Sequence, residues 1–434
     1  MNIPEPQIVF GYVLSPLWFV LKVWWWFILP IVFYFPAKIL YKWWINWEVW
    51  YKELEWIMLE IVPPSEVLKP FRAMEDTFTA LWPIYDGPNW REKWCEGELD
   101  LGPAWVSFET VSIEGQIHFY LRCLKDQQNF VESIIHTHYP DAEISQTSDY
   151  TQNVPQNVPN KDYDIYGEDY VFLREDPYPI RTYKFFEIRP EEIEAEKKID
   201  PLPNLLEALS KVGKGEQVWF QMVICPILDV DVPWIKAGKD LADKIARRPS
   251  PPKDKTIAGE TFRTIVHGTV PFENEAKEES VIPPEMKLTP GEKEVLAAVE
   301  EKISKLGFKT YMRVIYLYKR EARYAPNARI FRSYFLHFNT QNLNSIRFWG
   351  ATRTKIHYLF RKRRLYTRKK NIFSKYIKRF TPKFPKRVGP GICIFNAEEL
   401  ATVFHFPADT SKLPPSVPRV AAKKGGPPPN IPFE

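Results

Sequence analysis

The sequence predicts an α+β protein that is held in a membrane by an N-terminal helix. Residues 8–35 form an apolar stretch of 28 residues with a single charge, Lys22. Further along the chain, some segments alternate apolar and polar residues, as half-buried strands do, and others repeat apolar residues at helical spacing. The architecture that we expect is a transmembrane helix and an amphipathic helix, followed by two ferredoxin-like α+β units.

The first element, residues 1–36, is expected to be a transmembrane anchor. A helix rises about 1.5 Å per residue, so the apolar stretch can cross a bilayer core of roughly 30 Å. A cleaved signal peptide is disfavoured, because no basic region precedes the stretch and no small-residue cleavage site follows it. Glu5 precedes the stretch and Lys38, Lys42 and Lys52 follow it. We expect a single-pass protein of the inner (cytoplasmic) membrane, and the positive-inside rule places its C-terminal part in the cytoplasm.

Residues 37–62 are predicted to form an amphipathic juxtamembrane helix. Nine of the 16 Trp residues lie between Trp18 and Trp56, and Trp favours the membrane–water interface. Two arrangements stay open. The helix could lie in the plane of the interface, or its apolar stripe could pack on the following domain or on another copy of the chain. The candidate membrane-interface residues are Trp43, Trp44, Trp47 and Trp50.

The remaining chain is predicted to contain a connector (63–106), a first α+β unit (107–229), a linker or insertion (230–288), a second α+β unit (289–410) and a Pro-rich tail (411–434). From residue 116 onward, the expected order of the first unit is β-α-β-β-α-β, the ferredoxin-like order. A hairpin is expected at Glu114-Gly115. Thr289 and Glu292 have the spacing of a capping box at the start of a helix. The strand–helix succession of the second unit suggests a weak internal duplication.

The net charge of +5 results from two parts of opposite charge. Residues 322–397 contain 19 Lys and Arg and no Asp or Glu, which leaves 40 basic and 54 acidic residues, a net charge of −14, in the rest of the chain. This separation indicates an anionic partner. Cations and aromatic rings are interleaved within the basic segment 347–388. Its candidate nucleic-acid-binding or lipid-binding residues are Arg361, Lys362, Arg363, Arg364, Arg368, Lys369, Lys370, Lys375, Lys378 and Arg379.

Three partners for the basic segment stay open. Cations neutralise phosphates and rings stack on unpaired bases, as in nucleic-acid-binding proteins. The same composition suits an anionic membrane surface, and a docking contact with an acidic protein is the third possibility. Nucleic acid is the first interpretation. A membrane scaffold that binds anionic lipid headgroups through the same segment is the alternative.

The sequence contains no signature of catalysis, a metal or a cofactor. It lacks the Gly-x4-Gly-Lys-Ser/Thr pattern of a P-loop and the Gly-x-Ser-x-Gly of a nucleophile elbow. Its four Cys residues have no CxxC spacing and are too few for a disulfide scaffold. We therefore expect a protein that is not an enzyme and that has no cofactor.

Several stretches together resemble a known family. They are SFETVSIEGQIHFY (107–120), YPDAEI (139–144), DPLP (200–203), GEQVW (215–219), FNTQNLN (338–344), ELAT (399–402) and PPPNIP (427–432). The chain resembles the membrane-anchored region that precedes the motor in bacterial type IV secretion and conjugation ATPases of the HerA/FtsK type. It is most similar to the stand-alone relatives that lack the motor. The resemblance implies a scaffold that places a separate DNA-translocating motor ATPase at the membrane, and it is compatible with a homo-oligomer.

Overall fold

The computed structural model describes residues 6–85, 87, 90, 105–185, 200–230, 232–248, 288–384, 389–410 and 413–419. Its helices are α1 (Pro6–Trp43), α2 (Pro70–Leu81), α3 (Gln128–His138), α4 (Leu202–Ser210), α5 (Trp234–Ile245), α6 (Pro290–Ile303), α7 (Ile330–Leu336), α8 (Arg361–Ile377) and α9 (Ala397–Val403), and a π-helix (Trp44–Tyr51) continues α1. Its strands are β1 (Trp56–Val62), β2 (Val106–Ile113), β3 (Gln116–Leu124), β4 (Glu143–Thr147), β5 (Tyr163–Phe172), β6 (Glu216–Pro226), β7 (Gly307–Lys319), β8 (Ile346–Phe348) and β9 (Cys393–Asn396).

The nine strands form one antiparallel sheet, and the predicted α+β class is confirmed. The strand order is β4-β1-β3-β2-β6-β7-β5-β8. Strand β9 pairs with the first residues of β7, next to the part of β7 that pairs with β5. The long central strands β6 and β7 pair from Glu216 to Pro226, and this pairing joins the two halves of the chain.

The two ferredoxin-like units are not confirmed. The predicted order of elements is present along the chain as β3-α3-β4-β5-α4-β6. However, β4 pairs with β1, and β5 pairs with β7 and β8. The strands of the first expected unit are therefore distributed across the whole sheet. Periodicity identifies a strand, but it does not identify the neighbour of that strand.

The predicted juxtamembrane helix is wrong for its last third. Helical structure extends through the π-helix to Tyr51, but Trp56–Val62 is the strand β1, which lies between β3 and β4. Met58 and Leu59 are adjacent in sequence, and both are buried, on opposite faces of the sheet. A strand that is buried on both faces has consecutive apolar residues, which cannot be distinguished from a short helix by periodicity. Helix α2 lies in the stretch that was expected to be a connector.

Two local predictions are confirmed. Glu114 and Gly115 form the turn between β2 and β3, with φ of 52° and 88°. A Cβ at Gly115 would lie 2.7 Å from the Ser210 carbonyl oxygen, so the turn also needs Gly in order to pack on the end of α4. Thr289 and Glu292 form the capping box of α6 through both reciprocal hydrogen bonds.

The two faces of the sheet are covered by different helices. Side chains from α2, α3, α4, α7 and α9 form the larger core on one face. On the opposite face, α8 and the segment around Tyr150 and Val158 cover Trp219 and Ile315. The helix that carries eight of the ten candidate binding residues is thus the principal helical cover of its face within the described residues.

Helix α1 is long and apolar enough to cross a membrane, judged by its length and composition. Its described side chains between Lys22 and Tyr41 are exposed almost without exception. Trp25 and Phe35, for example, are 56% and 66% exposed. A continuous apolar surface of this size is unfavourable in water and favourable in a bilayer.

Candidate anion-binding site

Helix α8 lies directly on the sheet because β5 has a glycine beneath it. Ile372, Phe373 and Tyr376 form the buried side of the helix. A Cβ at Gly167 would lie 3.0 Å from the Ile372 Cδ1 atom, which is closer than apolar groups normally pack. The buried side belongs to the C-terminal half of α8, so the N-terminal half extends away from this contact with its cations exposed.

The C-terminal end of α8 is fixed by a buried ion pair. Arg379 is fully buried and donates from Nε to Glu109 Oε1 at 3.0 Å and from Nη2 to Glu109 Oε2 at 3.1 Å. It also pairs with Asp149. Burial alone would raise the pKa of Glu109, but the charge of Arg379 lowers it overall. Burial would likewise lower the pKa of Arg379, yet the two carboxylates raise it well above its usual value.

A row of polar side chains continues from this ion pair across four strands. Glu109, Gln221, Arg313 and Asp169 are successive neighbours on β2, β6, β7 and β5. Arg313 donates to Asp169 at 2.6 Å and to the Phe380 carbonyl oxygen at 3.2 Å. Because Arg313 binds the Phe380 carbonyl oxygen, the row holds the chain that follows α8, and with it the end of the helix, in one position.

The juxtamembrane π-helix contacts the same end of α8. The Tyr51 hydroxyl donates to the Lys378 carbonyl oxygen at 2.8 Å. The Lys378 ammonium lies 4.2 Å from the Trp47 ring centroid, and the Trp47 and Phe380 rings meet edge-to-face at 5.0 Å. Of the two arrangements expected for the juxtamembrane segment, this part of it therefore packs on the following domain.

The other candidate interface tryptophans differ from Trp47. Trp43 and Trp44 are 43% and 51% exposed, on the side of the segment nearer the anchor. The side chain of Trp50 lies outside the described residues. Trp43 and Trp44 thus remain free to contact lipid, whereas Trp47 is part of the folded body.

The ten predicted anion-binding residues fall into two groups. Arg361, Lys362, Arg363, Arg364 and Lys370 are exposed, and none of them forms an ion pair with a carboxylate in the described part of the chain. The others are engaged within the protein: Arg368 with the Arg353 carbonyl oxygen, Lys369 with Asp164, Lys375 with the Pro382 carbonyl oxygen, Lys378 with Trp47, and Arg379 with Glu109 and Asp149. Arg379 cannot contact an external anion, because its guanidinium is buried.

The free cations are concentrated in the first turn of α8. We call Arg361, Lys362, Arg363 and Arg364 the 361–364 cluster. No acidic residue lies in this turn. Cations at a helix N-terminus oppose the helix dipole and repel one another, at a cost of a few tenths of a kcal/mol to about 1 kcal/mol each. A bound anion would remove this cost.

A cleft lies beside the 361–364 cluster. It has a volume of about 440 Å³ and is lined by Tyr358, Phe360, Arg363, Arg364, Thr367 and Arg368, and we call it the arginine cleft. The Arg364 guanidinium lies 5.1 Å from the Tyr358 ring centroid, and Arg368 Nη2 donates to the Tyr358 hydroxyl at 3.2 Å. Guanidinium groups bind phosphates and carboxylates through paired hydrogen bonds. The arrangement is suited to an anion that also carries a flat ring.

The two ends of α8 are well separated. The helix has 17 residues, so its ends are about 24 Å apart. One end contacts the juxtamembrane π-helix and the other carries the 361–364 cluster. Four of the five free cations therefore lie at the end of α8 opposite to its contact with the juxtamembrane π-helix.

Sequence reasoning missed the ion pair that holds α8. Glu109 and Asp149 are separated from Arg379 by 270 and 230 positions. Arg379 is flanked by a cation and an aromatic residue, as Arg361 is, so its sequence neighbours do not distinguish it from the free cations. No group of three or more His, Cys, Asp and Glu side chains in the described ranges is arranged to hold a metal ion.

A family model described as "Domain of unknown function (DUF8128)" matches residues 91–415. The chain belongs to this family. The matched range contains the arginine cleft and strands β2 to β9, whereas α1 and β1 precede it. No curated protein matches the chain.

Proposed function

We propose that this protein is a membrane-anchored, non-enzymatic component of a DNA-transfer machine of the type IV secretion kind. In this proposal it contacts nucleic acid through α8 and positions a separate motor ATPase at the inner membrane, with its C-terminal part in the cytoplasm. The observation that carries the nucleic-acid role is the arginine cleft, where guanidinium groups and aromatic rings meet at the exposed end of a rigidly held helix. The role of the motor rests on the family resemblance described above.

The charge of the cluster supports a polyanionic ligand. The 361–364 cluster consists of four adjacent cations without carboxylate partners in the described ranges. An ordinary protein surface mixes both signs of charge, so an uncompensated cluster is costly unless an anion binds there. Arginine suits phosphates because its planar fork makes two parallel hydrogen bonds.

The position of the cluster is also compatible with this role. It lies about 24 Å from the contact with the juxtamembrane segment, measured along α8. A nucleic acid strand bound there would be separated from the juxtamembrane contact by more than the roughly 8 Å over which charges interact strongly at physiological salt.

The test is a salt series with the full chain in neutral detergent micelles. Binding of labelled oligonucleotides is measured by fluorescence anisotropy. If each cation of the 361–364 cluster contacts one phosphate, the slope of log K against log salt is about −3 for a single strand, or about 50-fold weaker binding at 200 mM than at 50 mM salt. Absent binding, or binding that does not change with salt, would contradict the nucleic-acid role.

A charge-matched pair of variants assigns the binding to α8. In the first, all four residues of the 361–364 cluster are changed to Gln, which should abolish most of the salt dependence. The control changes four exposed lysines on the α5–α6 side of the molecule to Gln: Lys236, Lys239, Lys244 and Lys293. Equal losses in the two variants would mean that net charge, and not the site, controls binding.

Anionic lipid is the second candidate partner of the same cluster. The observation that favours it is the exposure of Leu359 and Phe360, at 78% and 76%. Apolar side chains beside cations can enter the boundary between headgroups and acyl chains. The full chain in neutral nanodiscs would then capture anionic vesicles, and the four-Gln variant would not. Equal capture of anionic and neutral vesicles would count against the lipid interpretation.

A further inference from the structure

We infer that the arginine cleft binds one unpaired nucleotide, with its phosphate on the guanidinium groups and its base against the Phe360 ring. The preferred ligand is therefore single-stranded nucleic acid and not a duplex. This inference rests on the proposed nucleic-acid role and names the ligand class.

The phosphate half of the cleft is built from arginines of two kinds. Arg368 is half-buried and is fixed by its hydrogen bonds to the Arg353 carbonyl oxygen at 3.0 Å and to the Tyr358 hydroxyl at 3.2 Å. Arg363 and Arg364 are exposed, on the preceding turn of α8. One guanidinium is therefore preorganised, and two can close around a phosphate that arrives from solvent.

The ring half of the cleft has an exposed aromatic side chain. Phe360 precedes the first residue of α8 and is 76% exposed. Its backbone is left-handed, with a φ of 58°, which is unfavourable for a residue with a bulky side chain. Tyr358 differs from it, because its ring and its hydroxyl are already engaged by Arg364 and Arg368. Phe360 is the ring of the cleft that is free to stack.

A duplex fits this arrangement poorly. In a duplex the faces of the bases are stacked on one another, so a ring at the rim of a cleft has no base face to contact. A helix that lies in a groove would need free cations along much of its length. On α8 the free cations are the 361–364 cluster and Lys370, while Arg368, Lys369 and Lys375 are engaged within the protein. Four of these five cations lie within about one turn, a length that a few phosphates of a single strand can cover.

The experiment compares three ligands of equal length with the full chain in neutral detergent micelles. They are a single-stranded oligothymidine, a single strand of the same length without bases, and a duplex. The wild-type protein should bind the oligothymidine at least about fivefold more tightly than the strand without bases, because base stacking contributes that much. Phe360→Ala should abolish this difference and leave the salt slope unchanged. Phe360→Trp should retain it.

Leu359→Ala is the matched control. Leu359 is adjacent, apolar and 78% exposed, but it does not line the cleft. This variant should bind all three ligands as the wild-type protein does.

The outcomes separate this inference from the proposed function. Equal binding of the two single strands with a normal salt slope would overturn the inference and leave the nucleic-acid role intact. Tighter binding of the duplex would do the same, as would a stacking preference that persists in Phe360→Ala. Absence of binding to all three ligands would overturn both.

Discussion

Replacing Arg379 by Met should reveal how strongly α8 is tied to the sheet. The substitution keeps most of the side-chain length and removes the cation. Glu109 would then remain fully buried as a carboxylate that accepts hydrogen bonds from Ser107 and Tyr150, each at 2.6 Å, but has no opposite charge. Breaking a buried ion pair from one side costs about 3–5 kcal/mol, a large fraction of a typical folding free energy of about 5–15 kcal/mol.

The second arm of this experiment removes both partners. Asp149 is 19% exposed and can be hydrated when the cation is absent, so Glu109 bears most of the cost. The double variant Glu109→Gln with Arg379→Met should therefore be more stable than the sum of the single effects predicts, by about 2 kcal/mol. The measurement is urea unfolding of the full chain in detergent micelles, followed by circular dichroism. Lys370→Met, on the exposed side of the same helix, should change stability by less than about 0.5 kcal/mol.

Two results would refute the argument. A loss of less than about 1 kcal/mol in Arg379→Met would mean that water reaches Glu109. Additive effects in the double variant would mean that the two side chains are not coupled.

Three further predictions concern the same region. Gly167→Val should force Ile372 away from β5 and cost about 1–3 kcal/mol in the free energy of unfolding, measured from the urea midpoint. The pKa of Glu109 is lower in the folded protein than in the unfolded chain, so the folded state binds fewer protons and its stability falls as the pH drops below about 4.3. Glu109→Gln should make that decline shallower in a series of melting temperatures against pH. Trp47→Ala should loosen the juxtamembrane contact and accelerate proteolysis there several-fold, whereas Trp43→Ala should not.

Each of these predictions has an outcome that contradicts it. Gly350 has open space around it, so Gly350→Ala is the control for Gly167→Val, and equal effects would exclude close packing as the cause. An unchanged acid limb in Glu109→Gln would place the responsible carboxylate elsewhere. Equal proteolysis of the Trp47→Ala and Trp43→Ala variants would mean that the π-helix is not held by the body.

The sequence allowed prediction of those features that depend on neighbouring residues. The hairpin at Glu114-Gly115 and the capping box at Thr289 each involve a few adjacent positions, and both are present. The apolar N-terminal helix follows from composition alone. The strand–helix order of the first unit was also correct.

The strand pairing could not be predicted in this way. Strand β5 is followed in the expected unit by α4 and β6, yet its partners are β7 and β8. Alternation of apolar residues indicates that a strand has a buried face, but many strands satisfy that condition equally. The choice among them depends on packing across the whole molecule.

The candidate site was predicted in part for the same reason. The absence of acidic residues between 322 and 397 identified the basic segment. Whether a given cation is free depends on carboxylates that are distant in sequence, as Lys369 with Asp164 illustrates. Composition located the charge, and the tertiary structure determined which part of it faces solvent.

The short distance between the anchor and the sheet has a mechanical consequence. Only Lys52 to Glu55 separate the π-helix from β1, and β1 is hydrogen-bonded along its length to β3 on one side and β4 on the other. These bonds run perpendicular to the strand. A pull directed along β1 would load both ladders in shear, so that many bonds would have to break together and not one after another. Tension between the membrane and a held strand would thus pass directly into hydrogen-bonded strands of the sheet and not through a flexible linker.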